Sequence, residues 1–305
     1  MLAKRIIKLS VGFLLSLVAV IPILATVWAT PANQELPPTR LNLENFGDIP
    51  NLAQDERGSQ ITEFDGTTTT ISWSKVSYQS FQDGNWEIYV SNDDASGQIR
   101  LTNNSAADIH PHLNRGADRI AFASNRDGDY EIYTMNLNGS GLTQITFNNT
   151  DDVNPKWSPD GAHIAFQAYR DGQAEIYTMN ANGTAQTRLT ADADYDATPS
   201  WSPDGTKIAF VSRRTGGYRI YVMNANGSGL TQISNQPYSF NPTWSPDGAQ
   251  IAFDADSDGD GWQDLWLMNH DGGNQRIIYD PPYGQIDAWA HSWSPDGRYV
   301  AFTQI

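Results

Sequence analysis

The most acidic stretch of this sequence is DADSDGDGWQD, which holds five aspartates between Asp254 and Asp264. Alternate carboxylates followed by a glycine are typical of the beginning of a calcium-binding loop, and a cation would relieve the repulsion between like charges in a tight turn. No glutamate occupies the twelfth position, which is Leu267, and a solvated acidic hairpin is the alternative interpretation. We predict a structural Ca²⁺ site with the following candidate ligands: Asp256, Asp258, Asp260, Trp262 through its carbonyl, and Asp264.

A second set of polar residues lies in short segments spread along the chain, most of them just ahead of a tryptophan. It includes an H-x-H pattern, whose two side chains share one side of a regular strand. If these segments converge, their carboxylates and imidazoles could bind a metal, a sugar or a peptide terminus. Alternatively, the aspartates cap turns and the histidines are incidental. The candidate binding residues are Asp108, His110, His112, Asp152, Asn154, Asp196, Thr198, Asn241, Asp287 and His291.

An internal repeat brings these segments together. The motif Trp-Ser-Pro-Asp-Gly recurs every 43 to 49 residues, each time followed by an Ile/Val-Ala-Phe triplet and, in most copies, by a strand like Glu-Ile-Tyr. A period in the low forties with four strands per repeat is typical of β-propeller blades, whereas helical repeats would need long stretches of 3.6-residue periodicity. The motif stands at residues 157–161, 201–205, 244–248 and 293–297.

One repeat, residues 154–190, shows how the strands are joined. Ser158-Pro159-Asp160-Gly161 has the residue types of a type I turn. Ile164 and Phe166 alternate with Ala165 and therefore share one face of a strand. Asn182-Gly183 predicts a tight two-residue hairpin, because both residues tolerate positive φ.

We therefore predict an all-β protein, a β-propeller of four-stranded blades. The strand ahead of each tryptophan should be innermost, so that the second set of polar residues lines a channel mouth. Residues 61–102 form a degenerate first unit, and the last unit holds only two strands before Ile305. An open half-blade would expose a sheet edge, so we expect the N-terminal segment, in particular residues 61–75, to complete the last blade. This arrangement has six blades, or five if the first and last units share one.

The motifs resemble the TolB-like, WD40-like (PD40) β-propeller repeat over roughly residues 70–305. That repeat builds the propeller of the periplasmic protein TolB and propellers attached to prolyl-oligopeptidase-like hydrolases, so it indicates the fold and not one function. The resemblance implies an envelope or secreted protein partner such as a Pal-like lipoprotein. TolB carries an α/β domain ahead of its propeller, for which the present sequence has no room, and this puts a literal TolB role in doubt.

The N-terminus has the pattern of an export signal. Lys4, Arg5 and Lys8 precede an apolar run over residues 11–29, and Val27-Trp28-Ala29 place small or medium residues ahead of a cleavage site before Thr30. The alternative is an uncleaved anchor, which would be the chain's only contact with a membrane. We expect a signal peptide at 1–29, a Pro- and Asn-rich linker at 30–60 and the propeller at 61–305, in a periplasmic or secreted protein or, alternatively, a membrane-anchored one.

Composition and absent motifs narrow the function. The formal net charge of −16 argues against nucleic acid as a partner, and the lack of cysteine excludes disulfides. The sequence contains no G-x-S-x-G, H-E-x-x-H, P-loop or C-x-x-C motif. We therefore predict a monomeric, non-catalytic binding module of the cell envelope. The alternative is a metal-assisted polysaccharide lyase, or a hydrolase or peptidase, that uses the channel mouth.

Overall fold

The computed structural model describes residues 75–92, 96–191, 193–257, 259, 261, 263–280, 288–294 and 296–304, together with the backbone of four strands nearer the N-terminus. Every regular element in this part of the chain is a β-strand, and it contains no helix long and apolar enough to cross a membrane. The predicted linker at 30–60 lies outside the described residues except at its last two positions, and so does most of the predicted signal peptide. The N-terminal strands are β1 (Ile7–Lys8), β2 (Leu17–Pro22), β3 (Ser59–Thr62) and β4 (Thr68–Ile71).

The strands assemble into consecutive antiparallel sheets, as predicted. A three-stranded sheet comes first, made of β5 (Val76–Ser80), β6 (Glu87–Ser91) and β7 (Ile99–Arg100). The second sheet holds β8 (Asp108–Leu113), β9 (Arg119–Ser124), β10 (Glu131–Asn136) and β11 (Thr143–Gln144). The third holds β12 (Asp152–Trp157), β13 (His163–Ala168), β14 (Glu175–Asn180) and β15 (Thr187–Arg188).

Three further sheets complete the series. The fourth holds β16 (Asp196–Trp201), β17 (Lys207–Ser212), β18 (Arg219–Asn224) and β19 (Thr231–Gln232). The fifth holds β20 (Ser239–Trp244), β21 (Gln250–Ala255), β22 (Asp264–Asn269) and β23 (Arg276–Tyr279). The sixth holds β24 (Ala288–Trp293) and β25 (Tyr299–Gln304), extended by β2 and β1. Within the described residues there are thus five four-stranded blades, the smaller count that the sequence allowed, and one three-stranded sheet at the degenerate first unit, which does not share a blade with the last unit.

The last blade is completed by N-terminal strands, as predicted, but by a different segment from the one expected. β2 pairs with β25 from Leu17↔Gln304 to Pro22↔Tyr299. The residues around 61–75 instead contribute the separate β3–β4 hairpin, in which Ile61 lies opposite Thr69. The strand that pairs with β25 thus comes from the apolar run at the N-terminus, and its backbone covers the sheet edge that β25 would otherwise leave open.

The core lies between the blades and follows the alternation predicted for the triplet. Ile164 and Phe166 pack toward the preceding blade together with Trp157, whereas Ala165 packs toward the following blade, against Ile208 and others. Of the four motif tryptophans, 157 and 244 are buried between blades as expected, and 201 and 293 are partly buried. At the two interfaces of this blade, small side chains of one sheet therefore face large side chains of the next, which lets the sheets approach closely.

The turns are built partly as predicted. The Gly161 N–H donates to the Ser158 carbonyl at 2.9 Å, which closes the predicted four-residue turn, and Gly161 has a positive φ of 68° that favours glycine at this position. The two-residue hairpin predicted at Asn182-Gly183 is wrong. The turn that forms is closed by a hydrogen bond from the Gly183 N–H to the Asn180 carbonyl, so it begins one residue earlier than predicted. Gly183 has a positive φ and Asn182 does not. Six residues separate β14 from β15, which is too many for the shorter turn.

Candidate functional site: the inner strands of the propeller

The first strand of each complete blade lies beside the first strand of the next, so β8, β12, β16, β20 and β24 form the inner wall of the ring. Each of the first four has a β-bulge at its third residue, where the pairing register with the second strand shifts. All four bulge residues are non-glycine residues with positive φ, a conformation that L-residues seldom adopt. They are four of the predicted binding residues: His110 (54°), Asn154 (52°), Thr198 (48°) and Asn241 (48°). The fold therefore brings these four to equivalent positions around the channel.

In the blades of His110 and Thr198, glutamine side chains from the preceding sheet hold the bulges in place. The backbone N–H of His110 donates to Gln79 Oε1 at 2.7 Å. The backbone N–H of Thr198 donates to Gln167 Oε1 at 3.4 Å. Because these glutamines belong to the neighbouring sheets, they connect consecutive sheets as well as supporting the bulges.

In the other two blades the bulge side chain itself makes the contact. Asn154 Nδ2 donates to Gln167 Oε1 at 3.0 Å, within its own blade. Asn241 Nδ2 donates to the buried Asp254 at 2.8 Å in the same way. Conformational strain at repeated non-glycine positions persists only where the surroundings enforce it, and such positions cluster at binding sites.

The first residue of the inner strand has a different setting. Asp108 and Asp196 are fully buried and form ion pairs with the arginine of the turn between the second and third strands, at 2.9 Å to Arg126 and 2.7 Å to Arg214. Asp152 makes the same pair with Arg170. These contacts give the three aspartates a role in holding each blade together, and their predicted binding role stays a prediction.

Each of these arginines also lies over two aromatic rings of its own blade. The Arg126 guanidinium is 5.7 Å from the Phe122 centroid and 4.6 Å from that of Tyr133. Arg214 lies over the equivalent pair, Phe210 and Tyr221, at 5.6 and 5.0 Å. A guanidinium both paired with a carboxylate and stacked on aromatic faces is held rigidly, so the rim of the inner wall is fixed by a repeated structural unit.

Lys156 also lies on the inner wall, although the sequence did not indicate it as a candidate binding residue. It lies two residues after Asn154 on β12, in the strand position that His112 occupies on β8. Burial lowers the pKa of Lys156 to about 8. Burial, and then the charge of Lys156, lower the pKa of His110 to about 4 and that of His112 well below its ordinary value. The signal available in the sequence was the position, because Lys156 precedes the motif tryptophan directly.

The two histidines are not the regular i, i+2 pair that the H-x-H pattern suggested. The bulge at His110 interrupts the alternation, and the register passes from Ile109↔Ala123 to His112↔Ala121. His112 Nδ1 accepts a hydrogen bond from the backbone N–H of Trp157 at 3.1 Å. Within the described residues, no three His, Asp or Glu side chains are grouped closely enough to bind a metal. Asp287 and the side chain of His291 lie outside the described residues.

The acidic hairpin is described only in part, since Asp258, Asp260 and Trp262 lie outside the described residues. Asp256 Oδ1 accepts a hydrogen bond from the Gly259 N–H at 2.8 Å, and buried Asp264 accepts one from Ser257 Oγ at 3.1 Å. Gly259 and Gly261 both have positive φ. The described carboxylates thus stabilise the turn, and the calcium site stays a prediction.

Comparison with known proteins decides the family. The family described as the TolB beta propeller domain matches residues 49–167 and 151–305. The chain belongs to the TolB β-propeller family. This confirms the resemblance that the repeat motifs indicated.

Solved structures of this family have the same fold. TolB from Acinetobacter baumannii aligns with a TM-score of 0.64 and 21% identity, over 76% of this chain and 64% of that protein. The present chain thus spans less than two thirds of that TolB. A putative TolB from Agrobacterium tumefaciens aligns with a TM-score of 0.62 and 23% identity, over 78% of this chain and 92% of that one.

The propeller is also similar to that of an enzyme. An oligogalacturonate lyase in complex with manganese aligns with a TM-score of 0.51 and 18% identity, over 81% of this chain and 68% of the lyase. No curated protein matches the sequence significantly. At these identities the similarity is one of fold, and function has to be argued from the residues.

Proposed function

We propose that this TolB-family propeller is a non-catalytic binding module of the cell envelope, which docks a protein or an envelope component at the mouth of its channel. The observation that supports this most is the repeated strained bulge, which places His110, Asn154, Thr198 and Asn241 at equivalent positions on neighbouring inner strands. A ring of polar side chains on rigid strands offers several contacts at fixed spacing.

The export pattern of residues 1–29 and the family membership support an envelope location, in the periplasm or as a secreted protein. The family membership also makes a Pal-like lipoprotein the first partner to test. The excess of 35 acidic over 19 basic residues favours a partner with a basic contact surface, and disfavours nucleic acid.

A pull-down from envelope extract with the exported chain tests this proposal. The variant His110→Ala with His291→Ala should lose the retained partner while its melting temperature stays close to that of the wild type. The matched control is His163→Ala with His270→Ala, because both of these histidines are exposed and lie away from the bulges. Equal recovery with all three proteins would contradict docking at the channel mouth.

A second candidate function is a metal-assisted lyase or hydrolase that acts on an acidic polysaccharide or a peptide. The observations in its favour are the two histidines on one inner strand and the fold similarity to a manganese-bound lyase. The Lys156 ammonium next to both histidines opposes it, because a cation there repels a metal ion. Metal content and turnover on polygalacturonate should be measured for the wild type and for the His110/His291 double variant. This function would be established if the wild type bound metal and turned over substrate, and the double variant lost both properties.

A further inference from the structure

Lys156 is a cation on the inner wall of the propeller that has no counter-charge among the residues that the structure describes. Its side chain is half-buried, and no hydrogen bond or ion pair from the described residues reaches its Nζ atom. Its charge lowers the pKa of both histidines of β8, which shows that the ammonium lies close to the two imidazoles. A half-buried ammonium without a partner gains much from an anion, because the surroundings screen the attraction less than bulk water does.

The histidines beside it are neutral at physiological pH and can donate hydrogen bonds. His112 Nδ1 accepts from the Trp157 backbone, so its ring proton lies on Nε2. His110 Nδ1 is buried and has no hydrogen-bond partner among the described residues. A buried polar atom without a partner is costly. This His110 atom lies on β8, the strand next to the one that carries Lys156.

We propose that Lys156, together with His110 and His112, binds a carboxylate group at the channel mouth. This inference rests on the proposed function, since it names the chemistry of the ligand at the same face. A carboxylate would accept a charge-assisted bond from Lys156 and a neutral bond from an imidazole N–H. One ammonium balances one negative charge, and the strongly acidic protein around it disfavours dianions such as phosphate.

The position of Lys156 makes the site rigid. The carbonyl of Lys156 accepts a hydrogen bond from the Trp201 indole of the following blade at 3.1 Å. The next residue, Trp157, donates its backbone N–H to His112 of the preceding blade. The backbone that carries the lysine is thus attached on both sides, so a carboxylate would bind without reorganising the wall.

Side-chain NMR of the full chain, labelled at lysine and histidine, tests the proposal. At constant ionic strength, sodium acetate replaces sodium chloride. We expect the Lys156 ammonium to titrate at a higher pH in acetate, and the His110 and His112 ring signals to shift. Lys156→Met should abolish the histidine shifts, and Lys156→Arg should keep them. Lys207→Met is the matched control, since Lys207 is an exposed lysine of β17, and it should leave the shifts unchanged.

A second pair of probes separates a free acid from a carboxylate carried by a peptide. N-acetyl-dialanine should reproduce the effect of acetate, and N-acetyl-dialaninamide should have none. Binding of the peptide acid without binding of acetate would assign the site to a peptide-borne carboxylate. The proposal would be overturned if both acids left the Lys156 and histidine signals where they are in chloride, or if the histidine signals still moved in Lys156→Met. The pull-down measures recovery of a partner, whereas the NMR titration measures binding of a carboxylate. The proposed docking function and the carboxylate site can therefore each be contradicted without the other.

Discussion

Asp196 begins the inner strand of the fourth sheet, and Arg214 lies in the turn after the second strand, where its guanidinium pairs with the buried Asp196 carboxylate at 2.7 Å. The same pair is present in the second and third sheets. In the fifth sheet both partners are absent together, since Ser239 and Ser257 stand at the equivalent positions. A buried charge without its partner is costly, which gives a physical reason for the two residues to be replaced together.

We predict that Arg214→Ser lowers the free energy of unfolding by about 3–5 kcal/mol, because it leaves the Asp196 carboxylate buried without its counter-charge. The double variant Asp196→Ser with Arg214→Ser, which copies the fifth sheet, should be more stable than Arg214→Ser alone. Urea unfolding of the single and double variants gives the coupling energy. The control is Arg213→Ser, whose exposed guanidinium lies over Tyr218 and should cost about 1 kcal/mol or less. Strict additivity of the two single changes would refute the pairing argument.

Thr198 is a β-branched residue at φ 48°, where the equivalent residues of the third and fifth sheets are asparagines. Asparagine tolerates this left-handed conformation better. We predict that Thr198→Asn stabilises the fold by about 1 kcal/mol, measured by urea unfolding. Thr206→Asn, in a turn without positive φ, is the control and should bring no gain. A destabilised Thr198→Asn would show that the hydroxyl contributes more than the strain costs.

The His110 pKa of about 4 makes the fold sensitive to acid. The unfolded chain binds a proton at this residue near the ordinary value of 6.5, whereas the folded chain resists it until about pH 4. The unfolded state therefore takes up more protons between these values, and the stability contributed by the neutral ring is lost as the pH falls through this window. His110→Gln should show a weaker loss of stability between pH 6.5 and 4 than the wild type. His163→Gln, at an exposed site, should follow the wild type, and identical pH profiles for all three would contradict the assignment.

The acidic hairpin between Asp254 and Asp264 leads to a prediction about calcium. If the hairpin binds Ca²⁺, millimolar calcium should raise the melting temperature relative to chelator, because a ligand that binds only the folded state stabilises it. The variant Asp258→Asn with Asp260→Asn should remove this difference. Asp118→Asn, in an exposed turn of the second sheet, is the matched control and should keep it. Equal melting temperatures of the wild type in calcium and in chelator would leave a solvated acidic hairpin.

The pairing of β2 with β25 conflicts with removal of residues 1–29, because cleavage would take away the strand at Leu17–Pro22. We predict that in the chain 30–305 the β3–β4 segment takes over the edge of β25, as the sequence first suggested. Hydrogen exchange of the amides of 299–304 should then stay slow in that chain and become fast when 59–71 is also deleted. The full-length chain is the reference. Fast exchange in 30–305 itself would show that the blade needs β2.

Much of this fold follows from short stretches of sequence. The Ser158–Gly161 turn and the alternation of Ile164 and Phe166 depend on residues a few positions apart, so the strands, the repeat and the packing of large side chains between blades could be predicted. The bulge conformation could not, because a threonine such as Thr198 carries no local signal for positive φ. It is imposed by the register between two strands and by Gln167 from the adjacent sheet.

By itself, the sequence determined the all-β class, the repeat, the family and the polar character of the inner wall. Only the tertiary structure decided which of those polar residues are already engaged. It buried Asp108 against Arg126 and left Lys156 beside two neutral histidines from another blade. It also determined that β2 is the strand that pairs with β25. The physical reason is that local turn chemistry and strand alternation act within a few residues, whereas ion pairs, burial of charge and ring closure depend on segments that only the curvature of the whole ring brings together.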